Sequence, residues 1–333
     1  MWPRTALIAC FAAGGLLAVS APVALGAADS TTAAPVAAAS APAIAPPKLG
    51  GYLQVRAIAQ AHAGLSQSLN RARFSIDGKL PERFSYRLLA ELEASTGAKS
   101  AATPSLRETY VRWTSAPVML TAGQFKVPFS REVLISLTQL ELADLATVLD
   151  SLAPKYDVGV MLEHAHGAEF TFQLGVFNGD GANATVNRDS TVMWAARTVF
   201  RPIPPLALGL SGTRDGDDSL RWCADAQVQH RGATLRGEYA KRVVRGRATD
   251  ANEFGWYLLE SYRPTPDVML VARQERYERP VFGAARRVRG LAFAASYDVA
   301  PSHVKLLAEW SRREAGVRLT RTDAFLAQVQ VVY

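Results

Sequence analysis

Beyond the N-terminal region, apolar and polar residues alternate with a period of two. In the stretch GYLQVRAIAQ, Leu53 and Val55 fall on one face, and Gln54 and Arg56 fall on the other. Because successive side chains of a β-strand point to opposite sides, this alternation predicts strands with one apolar and one polar face. The pattern recurs in about sixteen segments of roughly ten residues, as far as the closing stretch AFLAQVQVVY. We therefore expect an all-β chain.

The connections between these segments alternate between short and long. GKLPE, SAP, HG, RPIPP and RPTP are short, and longer, more polar connections such as STGAKSAATPS and NGDGANATVNRDS lie between them. Short turns at one rim and long loops at the other are typical of outer-membrane barrels, whose strands of ~9–11 residues cross the bilayer at a tilt. The fold that we predict is a transmembrane antiparallel β-barrel of about sixteen strands.

The longest connection runs from residue 127 to residue 155, between the predicted strands LTAGQFKVPF and KYDVGVML. Connections longer than about 12–15 residues are uncommon in compact domains and are usually functional. Leu137, Leu145 and Leu149 occur in it at roughly helical spacing, so that one face could pack on the inner wall. We predict that this third long loop folds into the lumen of the barrel. An external lid is the alternative.

The N-terminal stretch has the pattern of an export signal, because Arg4 precedes an apolar run that ends in small residues. This pattern predicts a cleaved secretory signal peptide over residues 1–27. Residues 28–49 are rich in Ala and Pro and predict a flexible periplasmic segment, followed by the barrel over residues 50–333. With an export signal and a barrel of strands, we expect the protein in the bacterial outer membrane.

The formal net charge of the chain is +7. A basic balance is compatible with nucleic acid, acidic lipid or small anions in a pore. Of these, we predict small anions and outer-membrane lipid as partners, and no nucleic acid.

Cationic side chains recur on the predicted polar face of the strands. The phase of the alternation places on that face Arg56, Arg71, Arg73, Arg87, Arg112, Arg197, Arg236 and Arg273. Lys126 and Arg131 lie where the long connection leaves the wall. Because cationic rings favour anions and the planar guanidinium suits oxyanions, we predict that these residues line the pore and bind anions.

For each of these residues the alternative is an ordinary salt bridge within the wall, since acidic residues share the polar face. Arg56, Arg71 and Arg73 lie on adjacent predicted strands with few acids beside them in the pattern. They are therefore our strongest candidates for contact with an anion.

Patterns that would indicate catalysis are few. The sequence contains no GxSxG, HExxH or P-loop pattern, and His164 and His166 flank a predicted tight turn. Only Cys223 remains after removal of the predicted signal peptide, so no intramolecular disulfide is expected. We predict no enzymatic activity and no cofactor or metal site.

Several stretches are similar to a known family. GYLQVR, RARFSIDGKL, AGQFKVPFSRE, LAPKYDVGVML, GVFNGDGAN and QVQVVY resemble the phosphate-selective porin O and P family of Gram-negative outer membranes. The resemblance extends over roughly residues 50–333 and implies a sixteen-stranded trimeric barrel with its third loop in the pore. It also implies uptake of anions, with phosphate and pyrophosphate among them.

The resemblance implies that four residues of the shared motifs bind anions, namely Arg71, Arg73, Lys126 and Arg131. The loops here are short, and Arg131 is the only basic residue of the long connection before Lys155, so a dense lysine site is not evident.

We therefore predict an outer-membrane porin for passive diffusion of small hydrophilic solutes, with a preference for anions that could extend to phosphate or pyrophosphate. A general diffusion porin without selectivity, an outer-membrane barrel enzyme and a soluble periplasmic β-protein are the alternatives.

Overall fold

The computed structural model of the protein describes residues 45–61, 63–93, 103–216, 218–245, 251–281 and 284–333. The predicted signal peptide, and the predicted flexible segment up to residue 44, lie outside the described residues and stay predictions.

Sixteen antiparallel strands close into one barrel, each pairing with its neighbours in chain order. The first eight are β1 (Lys48–Gln60), β2 (Gly64–Lys79), β3 (Phe84–Glu93), β4 (Thr103–Ser115), β5 (Val118–Lys126), β6 (Tyr156–His166), β7 (Phe170–Phe177) and β8 (Met193–Ile203). The remaining eight are β9 (Leu206–Arg214), β10 (Ser219–His230), β11 (Ala233–Val244), β12 (Ala251–Tyr262), β13 (Val268–Val281), β14 (Ala284–Ala300), β15 (Val304–Gly316) and β16 (Thr320–Val332). The predicted fold class and strand number are confirmed.

The barrel closes where the first strand meets the last. Tyr52 of β1 lies opposite Val332 of β16. The backbones of Gly51 and Tyr333 exchange two hydrogen bonds, with N–O distances of 3.0 and 3.1 Å. Because closure pairs both outer strands, it removes the open sheet edge that could not be tolerated in lipid.

The burial of side chains along β1 is the reverse of that in a soluble protein. The apolar residues Leu53 and Val55 are 40% and 52% exposed, whereas the polar residues Gln54 and Arg56 are 1% and 8% exposed. The same alternation of exposed apolar and buried polar residues continues around the wall. An apolar outer face and a polar inner face are what a barrel in a bilayer requires.

The longest connections share one rim, as the sequence pattern predicted, but that rim also has short ones, since only three residues join β15 to β16. The connections at residues 116–117, 204–205 and 231–232 each follow an even-numbered strand, whereas the long connections at 127–155 and 178–192 follow β5 and β7. In the turn between β10 and β11, Arg231 and Gly232 have φ values of 47° and 80°. Two consecutive positive φ values characterise the tight hairpin turn whose twist matches that of the strands.

All the helical structure of the described residues lies in the connection between β5 and β6. It consists of α1 (Arg131–Leu134), a 3₁₀ turn at Leu137–Gln139 and α2 (Thr147–Leu152). Ser130 caps α1, since its hydroxyl accepts a hydrogen bond from the Val133 backbone N–H at 3.3 Å. Within the described ranges, no helix has both the length and the apolar character needed to cross a membrane.

Candidate functional site

The connection at residues 127–155, called the long segment below, packs one apolar face against the wall. Phe129, Val148 and Leu149 have no exposed surface, and they share an apolar cluster with Cys223 of β10 and Tyr257 of β12. Burying a side chain of this size contributes about 1.5–3 kcal/mol. The cluster therefore holds the long segment against strands β10 to β15.

Wall carboxylates accept hydrogen bonds from the backbone of the long segment. Glu238 of β11 accepts from the N–H groups of Arg131 and Glu132, at 3.1 and 2.7 Å. Glu309 of β15 accepts from Ala143 N–H at 3.0 Å. Glu275 of β13 accepts from the N–H and the hydroxyl of Thr147, at 2.8 and 2.6 Å. These bonds satisfy backbone donors that no regular secondary structure pairs.

Wall cations donate to carbonyl groups of the same segment. Lys126 Nζ donates to the carbonyl oxygens of Leu134 and Ile135, at 3.3 and 2.5 Å. Lys305 of β15 donates to the carbonyl oxygens of Thr138 and Leu140, at 3.0 and 3.1 Å. The backbone of the long segment is therefore fixed through both its donors and its acceptors.

Two buried ion-pair networks join the long segment to the wall. The Asp225 carboxylate accepts a hydrogen bond from Arg131 Nε at 2.8 Å. Its second oxygen lies 2.6 Å from Arg197 Nη1; this contact is an ion pair without the angles of a hydrogen bond. Arg236 of β11 donates both Nη atoms to Glu141, at 3.0 and 2.8 Å. Bidentate pairing of this kind fixes the direction of both side chains.

The buried carboxyl of Glu132 makes this attachment sensitive to pH. Glu132 is 1% exposed, and burial raises its pKa to about 7. The negative charge of Glu238 also raises this pKa, whereas the positive charge of Arg273 lowers it. In the unfolded chain the pKa is near 4.5. The stability that protonated Glu132 contributes is therefore complete below pH 4.5, and it is lost as the pH rises through 7.

We expect the wild-type protein to unfold at a lower urea concentration at pH 8 than at pH 5, and Glu132→Gln to reduce that difference. The expected difference is on the order of 3 kcal/mol in the free energy of unfolding. Urea titrations in detergent micelles at both pH values measure it. Glu169→Gln, at an exposed turn position, is the control and should behave like the wild type. The same pH dependence in Glu132→Gln and in the wild type would contradict this assignment.

A cavity of about 330 Å³ lies between the long segment and wall residues of strands β2 to β6. Its charged lining consists of five cations and two carboxylates, namely Arg71, Arg73, Arg107, Lys126 and Lys155, with Glu91 and Asp150. The cations exceed the carboxylates by three. Because charges act more strongly where little water screens them, such a cavity attracts anions.

Glu91 of β3 organises the cationic wall of this cavity. Its Oε2 accepts from Arg73 Nη2 at 2.9 Å and from Arg107 Nε at 2.6 Å. Arg73 also donates to the Tyr156 hydroxyl at 3.4 Å. The Glu91 carboxylate thus holds the guanidinium groups of Arg73 and Arg107 together. Its single negative charge compensates only one of their two positive charges.

The structure brings only some of the predicted anion-binding residues into this cavity. Arg71, Arg73 and Lys126 line it. Arg56 lies beside it, paired with Asp144 at 3.0 Å. Arg131 lies in the long segment itself and bonds to Asp225 of β10. Three others lie on strands of the far wall and bond to the long segment or to its anchors, namely Arg197, Arg236 and Arg273.

Arg87 and Arg112 lie elsewhere on the wall. Arg87 pairs with Asp77 at 2.9 Å and with Glu108 at 2.7 Å. Arg112 Nε donates to the Thr121 hydroxyl at 3.0 Å, and its guanidinium lies 4.9 Å from the centroid of the Tyr110 ring. Both residues therefore have wall partners, as the salt-bridge alternative describes for Arg87.

The expectation that few acids lie beside Arg56, Arg71 and Arg73 needs correction. Asp144 of the long segment bonds to Arg56 at 3.0 and 3.1 Å and to Arg71 at 3.5 Å, and Glu91 bonds to Arg73. Asp144 is far from these arginines in the sequence. Strand alternation gives no information about where a loop carboxylate will lie.

Arg107 was missed because a β-bulge changes the phase of β4. Along the pairing of β3 with β4, Leu89 lies opposite Glu108 and Ala90 lies opposite Leu106, so Arg107 is the additional residue. A bulged residue does not follow the alternation and can turn its side chain toward the other face. The acid at position 91 and the irregular alternation around Arg107 were the only hints in the sequence.

The family comparison covers this region. A model described as "Phosphate-selective porin O and P" matches residues 54–213, which include β2 to β8 and the long segment. The matched region contains every cation that lines the cavity. No curated protein matches the sequence.

Solved structures of outer-membrane proteins share the fold of the chain. In-vitro folded OmpT of Vibrio cholerae, in its trimer form, has a TM-score of 0.67 at 10% identity, with 86% of this chain and 99% of that chain covered. The outer membrane channel DcaP of Acinetobacter baumannii gives 0.65 at 9% identity, with 86% and 97% covered. An anion-selective porin from Comamonas acidovorans gives 0.63 at 10% identity, with 86% and 99% covered. At these identities the likeness concerns the fold alone.

Proposed function

We propose that this protein is a porin of the bacterial outer membrane through which small hydrophilic solutes diffuse, with a preference for anions. The family match and the closed sixteen-stranded barrel support the channel. The observation that carries the anion preference is the cavity beside the long segment, where cations exceed carboxylates by three. Phosphate and pyrophosphate belong to the proposed cargo, because guanidinium groups match their oxygens.

We infer that the long segment lies in the lumen and narrows it. Its residues bond to Arg56 of β1, Glu238 of β11 and Glu309 of β15, and five strands separate β1 from β11 along the shorter arc of the closed barrel. All three wall residues alternate with outward-facing apolar residues. A segment outside the barrel could not reach these side chains together.

In this proposal an anion enters the lumen, loses part of its hydration beside Arg71 and Lys126, and leaves toward the opposite rim. The lysine is held by carbonyl oxygens, which carry no full charge, so its charge stays available to the anion. Because Glu91 competes for the guanidinium groups, binding is weak enough for release, as conduction requires.

A general diffusion porin is the second candidate, and the pairing of the wall arginines favours it. Arg56 with Asp144 and Arg73 with Glu91 are neutral pairs that contribute little net field. A channel lined mainly by such pairs would pass anions and cations alike.

We further propose that the protein is not an enzyme and that it forms a homotrimer surrounded by outer-membrane lipid. Among the described residues, no three His, Cys, Asp or Glu side chains are grouped so that they could hold a metal ion. The trimer form of OmpT, which shares the fold, supports the oligomeric proposal. Mass determination of the detergent complex would test it.

The anion preference is tested by replacing Arg71 and Arg73 together with Gln. We expect the anion-to-cation permeability ratio to fall by about fivefold or more, since each lost charge is worth on the order of 1 kcal/mol at ~8 Å in a partly aqueous lumen. Phosphate block of the chloride current should weaken as well. Reversal potentials in a KCl gradient across a planar bilayer measure the ratio.

The double variant should still assemble, because Glu91 keeps its bond to Arg107. Arg201→Gln, which removes an exposed arginine near the short-turn rim, is the control and should leave the ratio unchanged. An unaltered permeability ratio in a correctly folded double variant, or a wild-type reversal potential near zero, would refute the proposed preference.

A further inference from the structure

The cavity beside the long segment has an apolar side as well as a cationic side. Val133, Leu137 and Leu145 of the long segment line it together with the arginines and lysines. Val133 is almost fully buried, but Leu137 and Leu145 are only partly buried. The two leucines therefore present hydrocarbon surface to the interior of the cavity.

Packing of the long segment against the wall does not explain why both Leu137 and Leu145 are apolar. The face that packs on the wall is formed by other residues, among them Val148 and Leu149, which are fully buried. Leu145 lies at the edge of that apolar cluster, and Leu137 is outside the described members of the cluster. The long segment is thus apolar on its wall side and partly apolar on its cavity side.

A strongly hydrated inorganic anion gains nothing from the leucine side. Phosphate must exchange its water for hydrogen-bond donors, and hydrocarbon supplies none. An organic anion differs, because its charged group can face the cations while its hydrocarbon body leaves water against the leucines.

The cavity is large enough for such a molecule. Its volume of about 330 Å³ lies at the lower end of the range of small-molecule sites. The ring of Tyr156, with the Arg107 guanidinium 6.0 Å from its centroid, adds aromatic surface beside the charged groups.

We propose that this cavity selects small organic monoanions with an apolar body, such as aromatic carboxylates, over acetate and over inorganic phosphate. The carboxylate is bound on the side of Arg71 and Lys126, and the apolar body contacts Leu137 and Leu145. This inference rests on the proposed function and names the class of anion for which the same site is built.

The experiment compares benzoate with acetate, which share a carboxylate and a charge and differ in apolar surface. Each is added, at constant ionic strength, to wild-type channels that carry chloride current in a planar bilayer, and inorganic phosphate is added in a third series. We expect benzoate to reach half-maximal block at a concentration at least tenfold lower than acetate, a difference of about 1.4 kcal/mol. Phosphate should block less strongly than benzoate.

The double variant Leu137→Asn with Leu145→Asn removes the apolar side and keeps every cation. We expect its benzoate block to become equal to its acetate block, with the reversal potential in a KCl gradient unchanged. Leu134→Asn, at a partly buried leucine of the same segment that is not among the described lining residues, is the matched control and should keep the preference for benzoate.

The outcomes separate the inference from the proposed function. Equal block by benzoate and acetate in wild-type channels with an anion-selective reversal potential would overturn the inference alone. So would a benzoate preference that persists in the double variant, since the leucines would then not be its source. A wild-type reversal potential near zero would overturn the proposed function and the inference with it.

Discussion

Replacing Asp225 with Ala is expected to lower the free energy of unfolding by about 3–5 kcal/mol, because it leaves two buried cations without their carboxylate. The Asp225 side chain has no exposed surface and pairs with Arg131 of the long segment and Arg197 of β8. The attraction offsets the cost of burying these charges only while all three groups are present. Removal of the carboxylate should therefore also release the first helix of the long segment from the wall.

Urea titration in detergent micelles measures the loss of stability, and single-channel recording measures the release of the segment as increased current noise. Asp323 is a closely matched control, because its carboxylate also accepts from two arginines, Arg312 and Arg321, at 2.8 and 2.7 Å. These arginines are partly exposed to solvent, and exposed pairs contribute little. Equal unfolding midpoints for Asp225→Ala and Asp323→Ala would show that the buried pair does not anchor the segment.

Replacing Leu149 with Asp is expected to detach the long segment while the barrel stays closed. Leu149 is fully buried within α2, in the cluster shared with Tyr257. A carboxylate at that position would lose its hydration without gaining a partner, at a cost of roughly 4 kcal/mol or more. The strands do not depend on this contact, since their backbone hydrogen bonds form around the wall. We therefore expect a higher single-channel conductance and a reduced anion preference.

Leu149→Met is the control at the same site, because an apolar side chain of similar volume should cost less than about 1.5 kcal/mol. It should show the conductance of the wild type. Wild-type conductance in Leu149→Asp channels, with folding shown by heat-modifiable migration on a gel, would mean that the segment does not narrow the pore.

Strand alternation predicted the polar and apolar faces of the wall well, because the residues of each strand match the surroundings of that strand. Lipid outside and polar groups inside impose a period of two on every strand, so Arg56, Arg197 and Arg236 could be assigned to the polar face from neighbouring residues alone. Arg107 escaped the same reasoning. The bulge that turns it inward is a property of the pairing between β3 and β4, and neither strand shows it alone.

The partners of the arginines are set by contacts between distant parts of the chain. Asp144 reaches Arg56 and Glu141 reaches Arg236 only because the long segment contacts both β1 and β11. Its leucine spacing in the sequence correctly suggested an apolar face. It did not distinguish Leu149, which is buried against the wall, from Leu137, which borders the cavity.

The sequence by itself determined the barrel, its strand number, the face on which each regular strand residue lies, and the presence of one exceptional connection. These follow from local periodicity, which a bilayer enforces along each strand. Only the tertiary structure decided which cations share a cavity, which are neutralised by carboxylates, and that leucines line the same cavity of about 330 Å³. Such features depend on where the long segment folds back, and that position results from many contacts between residues far apart in the chain.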